Sequence, residues 1–128
     1  MIIDTSALVA VILGEPDAEG HLRAMLTADT LSISAATLTE SMIVVEARQG
    51  EEAVSDLAAL LAEVQADVIP FDEEQAEAAA SGWRRFGKGR HPAALNLGDL
   101  YSYALATTRA EPLLFKGNDF AATDVQRA

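Results

Sequence analysis

The sequence predicts an α/β domain with a central, mostly parallel sheet of four to five strands flanked by helices. Short apolar runs alternate along the chain with helical segments of about a dozen residues. Gly, Pro and Asp punctuate the joins between them. Half of the 128 residues are hydrophobic, enough for one core and too little chain for two ordinary domains. A single domain over residues 1–128 is therefore expected.

Met1-Ile2-Ile3 reads as a strand ending at Asp4, and Ala7, Leu8, Ala10, Val11 and Ile12 as a helix stopped by Gly14 and Pro16. A second helix is expected from about Pro16 to Ala28, turning Leu22, Met25 and Leu26 inward. Thr30 to Ser34 alternates with the period of two that marks a strand with one buried face. The next helix should start near Thr37 or Thr39, carry Glu40, Met42, Ile43 and Val45, and stop at Gly50, where another begins and runs to about Gln65. Asp67 to Phe71 reads as a strand, and Asp72 to Phe86, rich in Ala and Glu, as a helix. Gly87, Gly89 and Pro92 leave an irregular connection of about ten residues up to Leu97, long enough in a compact domain to be a functional candidate. Gly98-Asp99 opens a helix through Leu100, Tyr103, Ala104 and Leu105 to about Arg109, and Pro112 to Phe115 forms the last strand.

Composition removes several functions. With no cysteine there is no disulfide, thiolate zinc site or cysteine nucleophile. No apolar stretch reaches the roughly 18 to 20 residues of a membrane span. The run from Ala7 to Leu13 follows Asp4 rather than basic residues, unlike a secretory signal, so a cytoplasmic protein is expected. The net charge of −11 argues against a polyanionic partner. Its distribution argues the other way, because Arg84, Arg85, Lys88 and Arg90 lie within seven positions beside Trp83, Phe86 and His91. Such a strip on an acidic body can hold phosphates.

In open α/β sheets ligands bind beyond the carboxyl ends of the strands, so acids just after strands are the candidates. Asp4, Glu40 and Asp119 each follow a strand in this way, and Asp99 joins them if its helix begins at the same edge. Converging carboxylates repel one another, and a divalent cation relieves the repulsion. With only His21 and His91 as nitrogen ligands, 70 positions apart, the donors are oxygens, which suit Mg²⁺ or Mn²⁺ better than zinc. Metal-assisted phosphodiester hydrolysis is the chemistry such a cluster supports. Taken singly, each acid also fits a helix cap.

Ile2-Ile3-Asp4-Thr5-Ser6-Ala7-Leu8, Thr39-Glu40, Leu97-Gly98-Asp99 and the run from Leu113 to Phe120 together resemble the ordered motifs of PIN-domain proteins. The Gly87-Lys88-Gly89-Arg90-His91 loop before Leu95-Asn96-Leu97-Gly98-Asp99 looks more narrowly like VapC toxins of bacterial toxin–antitoxin pairs. The resemblance implies a PIN-like fold, Mg²⁺-dependent cleavage of RNA, a homodimer and inhibition by a VapB-type antitoxin. It further implies that Asp4 and Asp99 bind the metal, that Glu40 and Asp119 complete the catalytic acids, and that Ser6 steadies Asp4. Arg84, Arg85, Lys88 and Arg90 are the candidate RNA contacts. Asn118 stands where related chains often carry another acid, which weakens a second metal site.

Gly82 to Lys88 superficially matches a P-loop, but Gly89 replaces the metal-binding Ser or Thr and the segment follows a helix. An aspartate-nucleophile phosphatase would need a second Asp where Ser6 stands. Trp83 and Phe86, three apart on a helix, read as core, and His91 as surface. The non-enzymatic alternative is an acidic module that docks a basic protein, its carboxylates serving as caps.

Overall fold

In the computed structural model, which describes residues 1–128, four short strands form one sheet: β1 (Ile2–Ile3), β2 (Ser32–Ser34), β3 (Asp67–Ile69) and β4 (Leu113–Leu114). Their order is β3-β2-β1-β4 and every pairing is parallel, with Ile2 beside Leu113 and Ile3 beside Leu114. The connections are helical: α1 (Thr5–Ile12), α2 (Ala18–Thr27), α3 (Ala35–Gln49), α4 (Glu51–Glu63), α5 (Glu73–Phe86) and α6 (Leu97–Arg109). The strand count sits at the lower end of the expected four to five.

Successive strand residues point to opposite faces, and that alternation builds two cores. Ile2 and Leu113 pack with Ala79, Phe86, Leu100, Tyr103 and Leu105 of α5 and α6. Ile3, Ile33 and Leu114 pack with Leu8, Met25, Val45 and Leu57 of α1 to α4. β1 and β4 are apolar runs buried on both faces; β2, whose alternation predicts one buried face, is also buried throughout, while β3 at the edge of the sheet stays largely exposed.

Two helix starts differ from expectation for local reasons. Ser34, the last residue of β2, caps α3 by accepting a hydrogen bond from the Ala36 amide at 3.3 Å, so that helix starts at Ala35 and Glu40 falls in its second turn. Residues 15–17 form a turn in which the Ala18 amide bonds to the Glu15 carbonyl, so α2 starts at Ala18, after Pro16. The connection between α5 and α6 is pinned to α5: the Leu95 amide donates to the Phe86 carbonyl and the Lys88 amide to the Leu95 carbonyl, each at 3.0 Å. His91 serves this loop, its Nδ1 accepting from the Ala93 amide at 3.1 Å while its ring meets Phe86 edge-on.

Candidate active site

Because every strand runs the same way, the carboxyl ends of β1, β2 and β4 open on one edge. Asp4 follows β1 directly and is only 4% exposed. Its Oδ2 caps α1, accepting from the Ser6 amide at 3.0 Å and the Ser6 hydroxyl at 2.6 Å. Its Oδ1 accepts from the Ser102 hydroxyl of α6, also at 2.6 Å. Ser102 lies 3.2 Å from the Thr37 hydroxyl, and Ser6 accepts from the Lys116 amide just after β4. One hydroxyl chain therefore ties Asp4 to α3, α6 and the end of β4.

Glu40 is held by a second set. It accepts from the Thr5 hydroxyl at 2.5 Å, and Ser41 lies 3.2 Å behind Thr5. Gly98 lets the carboxylate come this close to α6, because a Cβ there would stand 1.8 Å from Glu40 Oε2. The positive end of the helix dipole faces that carboxylate.

Asp99 closes a reciprocal capping box with Asn96: Oδ2 accepts from the Asn96 amide at 3.0 Å, and Asn96 Oδ1 accepts from the Asp99 amide at 2.9 Å. Burial pushes its carboxyl up to about 7, opposed by the Asn96 N–H and reinforced by the charges of Asp4, Asp119 and Glu40. Asp4, Glu40 and Asp99 line one cavity of about 310 Å³ with Thr5, Ser6, Glu15, Arg48 and Lys116. Asp119 is exposed in the turn after β4 and does not line it; its charge alone reaches Asp99.

Asp4 and Asp99 are thus helix caps and cavity walls at once. The donors are all oxygens, and the mutual repulsion registered on Asp99 is the strain a hard divalent cation relieves, so the set fits Mg²⁺ or Mn²⁺ in kind and in charge. In this arrangement no three acidic groups stand as a ready-made metal cage; Asp4 and Asp99 also accept hydrogen bonds within the chain, Asp99 through Oδ2 alone.

The basic strip lies elsewhere. Lys88 lines a separate, mostly apolar cavity of about 680 Å³ with Trp83, Leu95, Asn96, Leu97 and Tyr101, so the first turn of α6 divides it from the carboxylates. Arg85 is tied to Asp124 at 2.8 Å, which removes it from the free cations, whereas Arg90 stacks over Trp83 at 4.7 Å. Trp83 is 45% exposed, correcting its reading as core; Phe86 is buried as expected. Sequence reasoning missed Thr5, Thr37, Ser41 and Ser102. Only Ser102 carried a usable signal, three residues beyond Asp99 and hence on the same helix face.

Comparison with known proteins agrees with this geometry. The PIN domain family matches residues 1–126. Ribonuclease VapC of Mycolicibacterium smegmatis is 46% identical over 125 residues, covering 98% of this chain and 97% of its relative. Mycobacterium tuberculosis VapC20, described as a Sarcin-Ricin loop cleaving toxin, superposes with a TM-score of 0.81 at 18% identity, over 99% of this chain and 97% of the other. VapBC2 from Rickettsia felis, solved bound to a DNA fragment from its promoter, gives 0.78 at 18% identity, over 99% and 96%. With a parallel sheet, carboxylates gathered at its carboxyl edge and a family match along nearly its whole length, this chain belongs to the PIN-domain family, among the VapC ribonucleases.

Proposed function

We propose that the protein is an endoribonuclease, the toxin of a type II toxin–antitoxin pair, and that it hydrolyses RNA phosphodiester bonds with Mg²⁺ or Mn²⁺ held by Asp4 and Asp99. The observation that carries this reading is the meeting of Asp4, Glu40 and Asp99, from three separate elements, on one cavity. When bound, the cation supplies Lewis acidity, stabilising charge on the phosphate and making water a competent nucleophile near neutral pH.

The chain's own residues prepare that chemistry. Ser6 and Ser102 fix the rotation of Asp4; Thr5 aims Glu40; the Asn96 amide orients Asp99. Preorganised acids need no rearrangement of solvent during the reaction. Asp119, exposed beside the site, supports the acidic field from outside the cavity. Arg84, Lys88 and Arg90 supply phosphate contacts beyond the first turn of α6. A VapB-type antitoxin is the inhibitory partner, a homodimer the working assembly, and the cytoplasm the working compartment. No helix is long and apolar enough to cross a membrane.

The test is cleavage of a panel of structured RNAs with Mg²⁺, with Mn²⁺, with EDTA, and by Asp4→Asn. Cleavage should require the cation and disappear in a variant whose melting curve shows it folded. Equal cleavage in all conditions, or none in any, would return the acids to the role of caps in a protein-binding module.

A further inference from the structure

Nine Lys and Arg residues face twenty Asp and Glu in this chain, so a cation without a carboxylate partner is notable when it borders the acidic cavity. Two cations line that cavity, Lys116 and Arg48. Lys116 is engaged, its ammonium bonded to Glu15 and, at 3.2 Å, to Asp17, which together raise its pKa. Arg48 is exposed and takes part in none of the chain's seven ion pairs.

Its place on α3 is specific. Glu40, Val44 and Arg48 are spaced by four, so they form one ridge of the helix, and all three line the cavity. Eight residues of helix separate Glu40 from Arg48 by about 12 Å along the axis. Arg48 therefore lines the cavity about two helical turns along α3 from Glu40.

On the ribonuclease reading above, we infer that Arg48 is a substrate-binding residue that grips a backbone phosphate next to the scissile one. An RNA strand in this cavity faces carboxylates, and a body of charge −11 repels it from a distance. The unpaired guanidinium of Arg48 gives the strand a bidentate foothold on the cavity wall and sets the register in which the neighbouring phosphate reaches Asp4 and Asp99. The competing role is purely structural, because a basic residue in the last turn of α3 also complements the helix dipole. A dipole partner affects stability and has no part in the salt dependence of RNA binding.

The experiment compares wild type, Arg48→Ala, Arg48→Lys and, as a matched loss of one exposed charge remote from the cavity, Arg23→Ala. The probe is the labelled stem-loop RNA cut best by wild type in the panel above, and the readouts are KM, kcat, the slope of log kcat/KM against log salt, and the melting temperature. Arg48→Ala should raise KM about tenfold with kcat within about twofold, as expected for one lost charge-assisted contact. Its salt slope should fall by about 0.7, the share of one single-strand phosphate. Arg48→Lys should recover the slope and only part of KM. If Arg48→Ala matches Arg23→Ala in KM and slope, or lowers only the melting temperature, the inference is overturned and Arg48 is a dipole partner. A wild type that cuts nothing removes the ribonuclease reading and this inference with it; a wild type that cuts, with Arg48→Ala indistinguishable from it, removes this inference alone.

Discussion

Asp4 is held through both carboxylate oxygens, and the donor on Oδ1 is a single buried hydroxyl, Ser102. Ser102→Ala leaves that oxygen and the Thr37 hydroxyl without a partner, at a cost of about 1 to 3 kcal/mol for a buried polar group. The expected outcome is a lower melting temperature together with a fall in kcat at nearly unchanged KM, because Asp4 keeps its charge and loses its aim. Unchanged kcat would mean that Ser6 alone orients the carboxylate. Asp99 gives a prediction of a different sign. Its pKa is raised from 3.8 to about 7, so between those values the folded protein keeps a proton that the unfolded chain has released. Its contribution to stability is present at low pH and is lost as pH rises toward about 7. In EDTA, the melting temperature of wild type relative to Asp99→Asn should therefore fall between pH 5 and pH 8, since Asn keeps the capping acceptor without the charge. Parallel curves for the two proteins would show that neither burial nor the neighbouring carboxylates hold a proton on Asp99.

Helix α6 unites the site because its first turn serves three purposes. Asn96 and Asp99 cap it reciprocally, Gly98 gives Glu40 room, and Ser102 one turn later reaches Asp4. Gly98→Ala separates the element's stability from its function. Alanine is the better helix former by about 1 kcal/mol, yet its Cβ would drive into the Glu40 carboxylate. Cleavage should drop at least about tenfold while the melting temperature moves little, on the view that displacing Glu40 costs transition-state stabilisation and leaves the packed core intact. Full activity would show that Glu40 can leave its place between Thr5 and Gly98 without consequence. Helix α3, capped by Ser34, contributes one ridge, Glu40, Val44 and Arg48, that lines the cavity.

At the scale of the whole molecule, charge and topology divide the surface. The all-parallel order β3-β2-β1-β4 sends the chain from β1, β2 and β4 to the same edge, so acids far apart in sequence converge there. The free cations Arg84, Lys88 and Arg90 collect on the other side of the α6 start, around the exposed Trp83. An RNA that spans both regions would meet the strip's cations as well as Arg48, which is how a protein of net charge −11 can attract a polyanion locally while repelling it overall.

Much of this was legible in the residues themselves. The short apolar runs and the Gly, Pro and Asp breaks between them set the alternation of strand and helix, because burial on both faces demands continuous apolar strands and helix ends demand caps. Asp4, Glu40 and Asp119 stood out because each comes soon after a strand of a parallel sheet, whereas Asp99 joined them only on the condition that its helix begins at the same edge. Tertiary structure alone decided the rest. That Trp83 faces solvent, that Arg85 is spent on Asp124, that Asp119 stays outside the cavity and that Ser102 reaches across 98 positions to Asp4 are facts about pairs distant in sequence. Local pattern reports which face a residue belongs to, whereas its partner across the fold depends on how the helices pack on the sheet.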